Sequence, residues 1–280
     1  ALSFELGCEF MDMQMVQFHP TGMVYPKKMI GTLVTEAVRG EGGILFNRYN
    51  ERFMEKYDPK RMELSARDVV ARSIYNEIIH GRGTKHNAVY LDISFKPADY
   101  IKKRLPKIYS QFKSIGVDIT KQKMEVAPTA HYSMGGIRTN LNGETNIKGL
   151  FAVGEVTGDV HGANRLGGNS LAETLVYGKI TGKASSSSAK KIKLKEIDPK
   201  YMEGLFIEFN NLMKIRGKIN PNKIKEEAQN IMWKYVGIIR SKKTIEIGLK
   251  KLYLLKNKLK EVRVSSMQDL IDFFDARNII

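Results

Sequence analysis

At 280 residues, with 42% hydrophobic and 27% charged residues, the chain has the make-up of a globular protein with room for a large core and more than one domain. It contains no run of eighteen apolar residues, which excludes a direct transmembrane helix, and its first residues, ALSFELGCEF, lack the basic region and apolar core of a secretory signal. Cys8 is the one cysteine, which excludes an internal disulfide and an iron–sulfur cluster held by this chain alone, and points to a reducing cytoplasm. The formal net charge of +16 gathers largely after residue 188, in segments such as KKIKLK and LKKLYLLKNKLK. Their leucines and isoleucines recur at helical spacing, so the lysines form a solvated face. No nucleic-acid-binding motif accompanies them.

Residues up to about 15 read as the end of a helix and the strand entry MDMQMVQF. After HPTG, a Gly- and Pro-punctuated stretch leads into GTLVTEAVRGEGGILFN, which predicts a strand, a short helix and a strand. SARDVVARSIYNEIIHG predicts a helix capped by Ser65 and ended by Gly81, with Val69, Val70, Ile74 and Ile78 near one face. AVYLDI reads as a strand, and a helix is expected from about Pro97 to Ser114, with Gly116 ending it. From Val126 the texture turns glycine-rich and lysine-poor. Within it LFAVGE reads as a short apolar strand stopping at Gly154 and Glu155, and in α/β sheets such carboxyl ends of strands are where ligands bind. KASSSSAKK, residues 183–191, is the best candidate for a flexible linker. Beyond it three or four amphipathic helices, breaking near Gly217–Pro221 and around Ser241 and Ser265, read as an antiparallel bundle.

Taken singly, the candidate functional residues are ordinary. A lone histidine such as His19 or His131 is more often a satisfied structural residue than a ligand. Arg165 alone would be a surface residue or an ion-pair partner, and Glu36 and Arg39 have the spacing of a modest helical ion pair. RGEGG is a turn that does not match G-x-G-x-x-G. The set is more telling than its members: QFHPTG, TEAVRGEGG, ELSARD, PTAHYSMGG, VGE and HGANRLGGNSL occur in this order.

This ordered set resembles the flavoprotein subunit of fumarate reductase and succinate dehydrogenase, and its relative L-aspartate oxidase, from about residue 1 to 185. The resemblance implies FAD as cofactor and an α/β fold: an α+β capping domain inserted in a Rossmann-like FAD-binding domain, followed by an α-helical bundle domain. On that reading residues 1–15 are a piece of the FAD-binding domain, 16–127 the capping domain, 128–188 the C-terminal part of the FAD-binding domain, and 189–280 the helical domain. The family's G-x-G-x-x-G fingerprint and its flavin-linking histidine are absent from these residues. The expectation is therefore a fragment of a longer polypeptide that by itself binds FAD weakly or not at all.

The resemblance also implies roles. Hydride transfer at flavin N5 interconverts fumarate and succinate, with Arg67 as proton donor, reprotonated through Glu36 and Arg39. His131 and Arg165 hold one substrate carboxylate, and His19 with Thr35 holds the other. Arginine suits this because its fork gives two parallel charge-assisted hydrogen bonds. Gly154, Glu155, Asn169, Ser170 and Leu171 are the FAD-binding positions. Glu155 would take sugar hydroxyls, and the helix beginning at Asn169 would aim its positive end at the flavin's pyrimidine ring. Arginine is a poor general acid in water, with an ordinary pKa above 12, but a developing carbanion is a strong enough base to deprotonate it.

With one cysteine, a reductase needs as its partner an iron–sulfur electron-transfer subunit. The setting expected is cytoplasmic, peripheral at the inner face of the membrane where that partner holds it. The alternative is L-aspartate oxidase, which needs no such partner. A basic helical interaction module would account only for residues 190–280.

Overall fold

The structure, a computed structural model, describes residues 1–193 and 196–280; the end of the KKIKLK segment, Leu194 and Lys195, lies outside the described residues. The chain forms two compact units, one of residues 9–182 and one of residues 1–8 with 183–280. It is a mixed helix and sheet structure with a helical C-terminal region.

In chain order the elements are α1 (Leu2–Glu5), β1 (Phe10–Met11), β2 (Val16–Met23), α2 (Ala37–Gly40), β3 (Ile44–Phe46), α3 (Met54–Tyr57), α4 (Arg67–Glu77), β4 (Val89–Asp92), α5 (Ala98–Arg104), α6 (Pro106–Lys113), β5 (Met124–Ser133), β6 (Gly136–Ile137) and α7 (Asn169–Ala189). The C-terminal helices are α8 (Pro199–Leu212), α9 (Pro221–Val236), α10 (Lys242–Lys258) and α11 (Met267–Ile279).

The sheet of residues 9–182 is antiparallel, in the order β2-β5-β4-β3, with a two-stranded β1–β6 pair beside it in sequence. Val126 and Met124 of β5, Val89 and Leu91 of β4 and Leu45 of β3 turn inward. They pack with Val70 and Ile74 of α4 and Ile101, Ile108 and Phe112 of α5 and α6 into one core. This alternation, with period two along each strand, is what makes one face of the sheet bury. At the end of α4, the buried Glu77 carboxylate takes two bonds from Arg82 (2.7 and 2.8 Å), one from Asn47 (3.0 Å) and one from the Tyr57 hydroxyl (2.8 Å). Burial alone would raise its pKa, but the hydrogen bonds and the charge of Arg82 outweigh that and hold it at about 2.

Four sequence expectations are corrected. Ser65 does not cap α4: Ala66 occupies the cap, and the Ser65 hydroxyl bonds instead to Asp58 (2.6 Å) and to the Met62 carbonyl (2.7 Å). The helix expected over Pro97–Ser114 is two helices, because Pro106 pushes Leu105 out of helical geometry (φ −127°, ψ 47°). LFAVGE forms no strand; Phe151 makes a single bridge to Glu144. The linker candidate is helix as far as Ala189, since α7 continues through the serines. Serine and lysine tolerate a helix already nucleated upstream, and that helix is packed tightly midway. Gly143 (φ +78°) lies so near Thr181 that an added Cβ would fall 2.2 Å from its Oγ1.

The C-terminal unit meets expectation more closely. Four helices break where the sequence predicts, and Asn220, Ser241 and Ser266 cap α9, α10 and α11 through their side chains. Ile224, Ala228, Leu255, Leu270 and Phe273 form its core, while the lysines of KKIKLK that are described and most of those in α10 are exposed.

Candidate active site

The site begins with two irregularities in the β2–β5 pairing. Gln17 pairs with Tyr132 but Phe18 pairs with Ala130, so His131 is the extra residue of a bulge. His19 pairs with Thr129, and the next pair is Gly22 with Ala127, leaving Pro20 and Thr21 as a second irregularity. Proline cannot donate to a ladder, and bulges re-aim the side chains that they carry. The two imidazoles come to face each other edge to face, their centroids 5.5 Å apart.

Burial, reinforced by the charges of Arg67, His131 and Arg39, pushes His19 down to about 4, against the Thr21 backbone bond, which raises it. His131 is also lowered, first by burial and then by Arg67 and Arg165. Both rings are therefore neutral near pH 7. Arg165 Nη2 lies 3.3 Å from His131 Nε2. Since arginine has only donors, that nitrogen accepts and the His131 proton sits on Nδ1.

Arg165 is buried on the loop before α7. Nη2 also donates to Gln17 Oε1 (3.0 Å) and Nη1 to the Leu166 carbonyl (3.3 Å), while Nε is buried without a hydrogen-bond partner among the described residues. Of the five N–H donors of a guanidinium, these contacts engage three and leave Nε–H and one Nη1–H for a ligand. The loop is pinned by Gln17, whose Nε2 donates to Asn164 Oδ1 (2.8 Å) and to the Arg165 carbonyl (2.7 Å), and by Asp68, which accepts from Asn164 Nδ2 (3.2 Å).

Arg67 opens α4. Its Nε and Nη2 both donate to Glu36 Oε2, at 3.0 and 2.8 Å, and its Nη1 lies 3.5 Å from Gln17 Oε1. Glu36, at the start of α2, is half exposed. Burial raises its pKa, but hydrogen bonds from Arg67 and the charges of Arg67 and Arg39 bring it below the ordinary value. Arg39 is fully buried. Nη1 donates to the Glu63 carbonyl at 2.6 Å and Nη2 lies 3.8 Å from Glu36 Oε1, while Nε and Nη2 make no hydrogen bond among the described residues. Burial chiefly, with Arg67 adding to it, lowers the pKa of Arg39. Thr35 is exposed and its Oγ1 accepts from the Ala37 N–H at 3.4 Å. Its neighbour Val34 is laced to Thr21, two residues past His19, through Val34 N–H to Thr21 O (2.9 Å) and Thr21 Oγ1 to Val34 O (2.7 Å).

The expected cofactor positions flank this group. Gly154 takes φ +82° in a turn closed by Thr157, whose N–H (2.9 Å) and hydroxyl (2.8 Å) both donate to its carbonyl. Glu155 Oε1 accepts from the Ser133 N–H at 3.0 Å, leaving Oε2 for a hydroxyl. Gly168 (φ +83°) has open space on its Cβ side, directly before Asn169, Ser170 and the exposed Leu171, where α7 starts. Leu171 N–H donates to the Gly168 carbonyl at 3.2 Å. A Cβ on Gly167 would lie 4.0 Å from Arg67 Nη2, so this bare backbone runs beside the arginine. An open helix N-terminus, glycine backbone and the exposed side chains of Leu166 and Leu171 fit the flat ring end of FAD.

The structure thus brings His19, His131, Arg165, Arg67, Glu36 and Arg39 into one connected group. Sequence reasoning missed the residue that joins them. Gln17 lies two positions before His19 on the same strand face, and a period of two along QFHP was the available signal.

Residues 1–171 match the family described as FAD binding domain, and residues 225–273 match the one described as fumarate reductase flavoprotein C-term. The chain belongs to the family of FAD-binding oxidoreductases that includes fumarate reductase, succinate dehydrogenase and L-aspartate oxidase. It is 48% identical over 287 residues to one subunit of the CoM/CoB fumarate reductase from Methanothermobacter marburgensis, covering 100% of this chain and 51% of that one. It is 38% identical over 264 residues to L-aspartate oxidase 2 of Ralstonia nicotianae, covering 92% of this chain and 45% of the relative. A structure of E. coli quinol fumarate reductase superposes with a TM-score of 0.87 at 36% identity, over 99% of this chain and 50% of that one. The chain spans about half the length of the curated relatives it matches.

Proposed function

We propose that this chain is the substrate-binding half of an FAD-dependent oxidoreductase that interconverts fumarate and succinate. The observation that carries the reading is the convergence of Arg165, with two N–H donors unengaged, on two neutral histidines and on Arg67. Such a group suits a four-carbon dianion. Arg165 gives one carboxylate its unengaged N–H donors, joined by Nδ1–H of His131. His19 and Thr35 take the other carboxylate. Arg39 and Arg67 add positive charge to a sheltered site, where it acts strongly.

FAD, when bound, supplies the hydride for one alkene carbon and takes it back in the reverse direction. Arg67 delivers the proton to the adjacent carbon and recovers one through Glu36, whose two oxygens face Arg67 and Arg39. Residues 16–127 supply His19 and Arg67 and act as a cap that excludes water, while His131 and Arg165 come from beyond residue 127; His19 and His131 already meet across the β2–β5 pairing. Gly154, Glu155, Asn169, Ser170 and Leu171 hold the cofactor. Electrons reach the site from an iron–sulfur partner, because the single cysteine of this chain cannot build such a cluster. No helix among the described residues is long and apolar enough to cross a membrane, and the partner would account for any membrane association of a cytoplasmic protein.

The higher identity to the fumarate reductase relative supports this reading over L-aspartate oxidase. The test is anaerobic stopped-flow spectroscopy on the full-length flavoprotein. Fumarate should reoxidise the reduced protein quickly, and L-aspartate should reduce the oxidised protein poorly. Rapid bleaching of the flavin by L-aspartate would assign the site to the oxidase.

A further inference from the structure

Behind Arg165 lies a second buried group of polar side chains that the reaction leaves without a task. The ring of Tyr132 lies 4.3 Å from the Arg165 guanidinium carbon. Its hydroxyl donates to Glu173 Oε2 at 3.0 Å, and His161 Nε2 meets the same oxygen at 2.9 Å. The rings of Tyr132 and His161 pack edge to face, 5.5 Å between centroids. The side chains of Glu173 and His161 are 3% and 7% exposed.

Three polar groups are a poor way merely to fill space, since an apolar trio of similar volume is commonly as stable or more so. Their arrangement does something an apolar trio would not. A phenol tethered through its hydroxyl cannot slide, and edge-to-face packing with His161 holds its ring as a flat platform. Donating that hydroxyl to a carboxylate also leaves the ring richer in electrons, which strengthens its attraction for a guanidinium. Arg165 needs such support. Its three engaged N–H groups point to Gln17, His131 and its own neighbour's carbonyl, and a long side chain held only by its edge retains rotamer freedom.

We propose that His161, Glu173 and Tyr132 form a positioning network that fixes the Arg165 guanidinium for a substrate carboxylate. The proposal rests on the reading of Arg165 as a dicarboxylate clamp. Glu173 anchors the phenol, His161 orients the carboxylate through the same oxygen, and the Tyr132 ring sets the plane of the guanidinium. None of the three touches substrate.

Calorimetric titration of the full-length, FAD-loaded protein with fumarate, with no electron donor present, tests this without turnover. Glu173→Ala should weaken fumarate binding about tenfold, the worth of a hydrogen bond to a charged group, with flavin content unchanged. Glu173→Gln, which can still accept from the phenol, should stay within about threefold of wild type. In an Arg165→Lys background, Glu173→Ala should add less than about twofold, because residues acting through one group are not additive. Unchanged binding in Glu173→Ala, or full additivity with Arg165→Lys, would overturn the network. If Glu173→Ala does not fold, Tyr132→Phe keeps the ring and cuts only the tether, and it should weaken binding about threefold; wild-type affinity there overturns the proposal equally. If Arg165→Lys alone leaves fumarate affinity intact, the clamp reading itself has failed, and the network falls with it.

Discussion

Both contacts from Arg67 to Glu36 land on one carboxylate oxygen, Oε2, while the other oxygen, Oε1, is turned to Arg39 at 3.8 Å. A carboxylate shared in this way links two guanidinium groups, and a proton taken up on one oxygen reaches the other guanidinium when the carboxyl group reorients. It is also half exposed, so it is the member of the trio that meets bulk water. Arg67→Ala should therefore abolish turnover with flavin content intact, and Arg67→Lys should keep a small residue of activity. Glu36→Gln should slow kcat about a hundredfold, within the range of a lost acid–base relay, while leaving the KM for fumarate near wild type. An Arg67→Ala enzyme that keeps a tenth of the wild-type kcat would place the proton donor elsewhere.

Arg165→Lys should lose most activity with fumarate although the charge is kept. Lysine is a point donor and cannot hold Gln17, the Leu166 carbonyl and a carboxylate at once. Steady-state kinetics decide it: a change under about threefold in kcat/KM, below ~1 kcal/mol, is too small for a substrate clamp.

His19 makes stability depend on pH in a defined window. Its pKa is about 4 in the folded protein against an ordinary 6.5. Between these pH values the unfolded chain binds a proton that the folded chain does not, so the contribution is full above about 6.5 and is lost as the pH falls towards 4. The loss should be roughly 2 kcal/mol by pH 5. Urea midpoints at pH 7 and pH 5 should show it, and His19→Gln should remove that part of the slope. Equal slopes in the two proteins would mean that the ring is protonated as readily folded as unfolded.

Glu77 is a structural counterpart far from the chemistry. Glu77→Ala strips three partners, Arg82, Asn47 and Tyr57, from a buried carboxylate position. It should cost roughly 2 kcal/mol of stability, because Asn47 and the Tyr57 hydroxyl lose their acceptor. The wild-type contribution is present above pH 4.5 and lost as the pH falls towards 2. Thermal melts at pH 7 are the check, and a melting temperature within a degree of wild type would refute it.

How far these features can be read from sequence depends on the range of the interaction that sets them. The C-terminal helices are legible because Ser241, Ser266 and Asn220 are local start signals sitting beside the helices they cap. The break at Pro106 is equally local, because the residue before a proline disfavours helix, yet the apolar spacing on either side of it reads as one continuous helix. Ser65 has the composition of a cap, but Asp58 and the Met62 carbonyl compete for its hydroxyl. LFAVGE is apolar enough for a strand, yet a strand exists only by pairing, and Phe151 pairs once. In the site, His19, His131, Arg165 and Arg67 stand out through motifs. Gln17 and Glu173 carry no motif. Glu173 is an acid inside the apolar run LAETLV, which is a signal of its own, whereas His161 only gains meaning once α7 brings Glu173 to it.

The loop that carries Arg165 takes its shape from distant chain. Gln17, which holds the Arg165 carbonyl, is 148 residues away, and Asp68, which holds Asn164, is 96 residues away. Contacts this remote close large loops of chain and form late, after local helices and nearer strand pairs have already reduced the search. During refolding, far-UV ellipticity should therefore recover before ligand affinity does. Biosynthesis is subject to the same order: until residue 165 has emerged and docked on β2 and α4, the nascent chain can own a sheet and a core and still have no grip on a carboxylate.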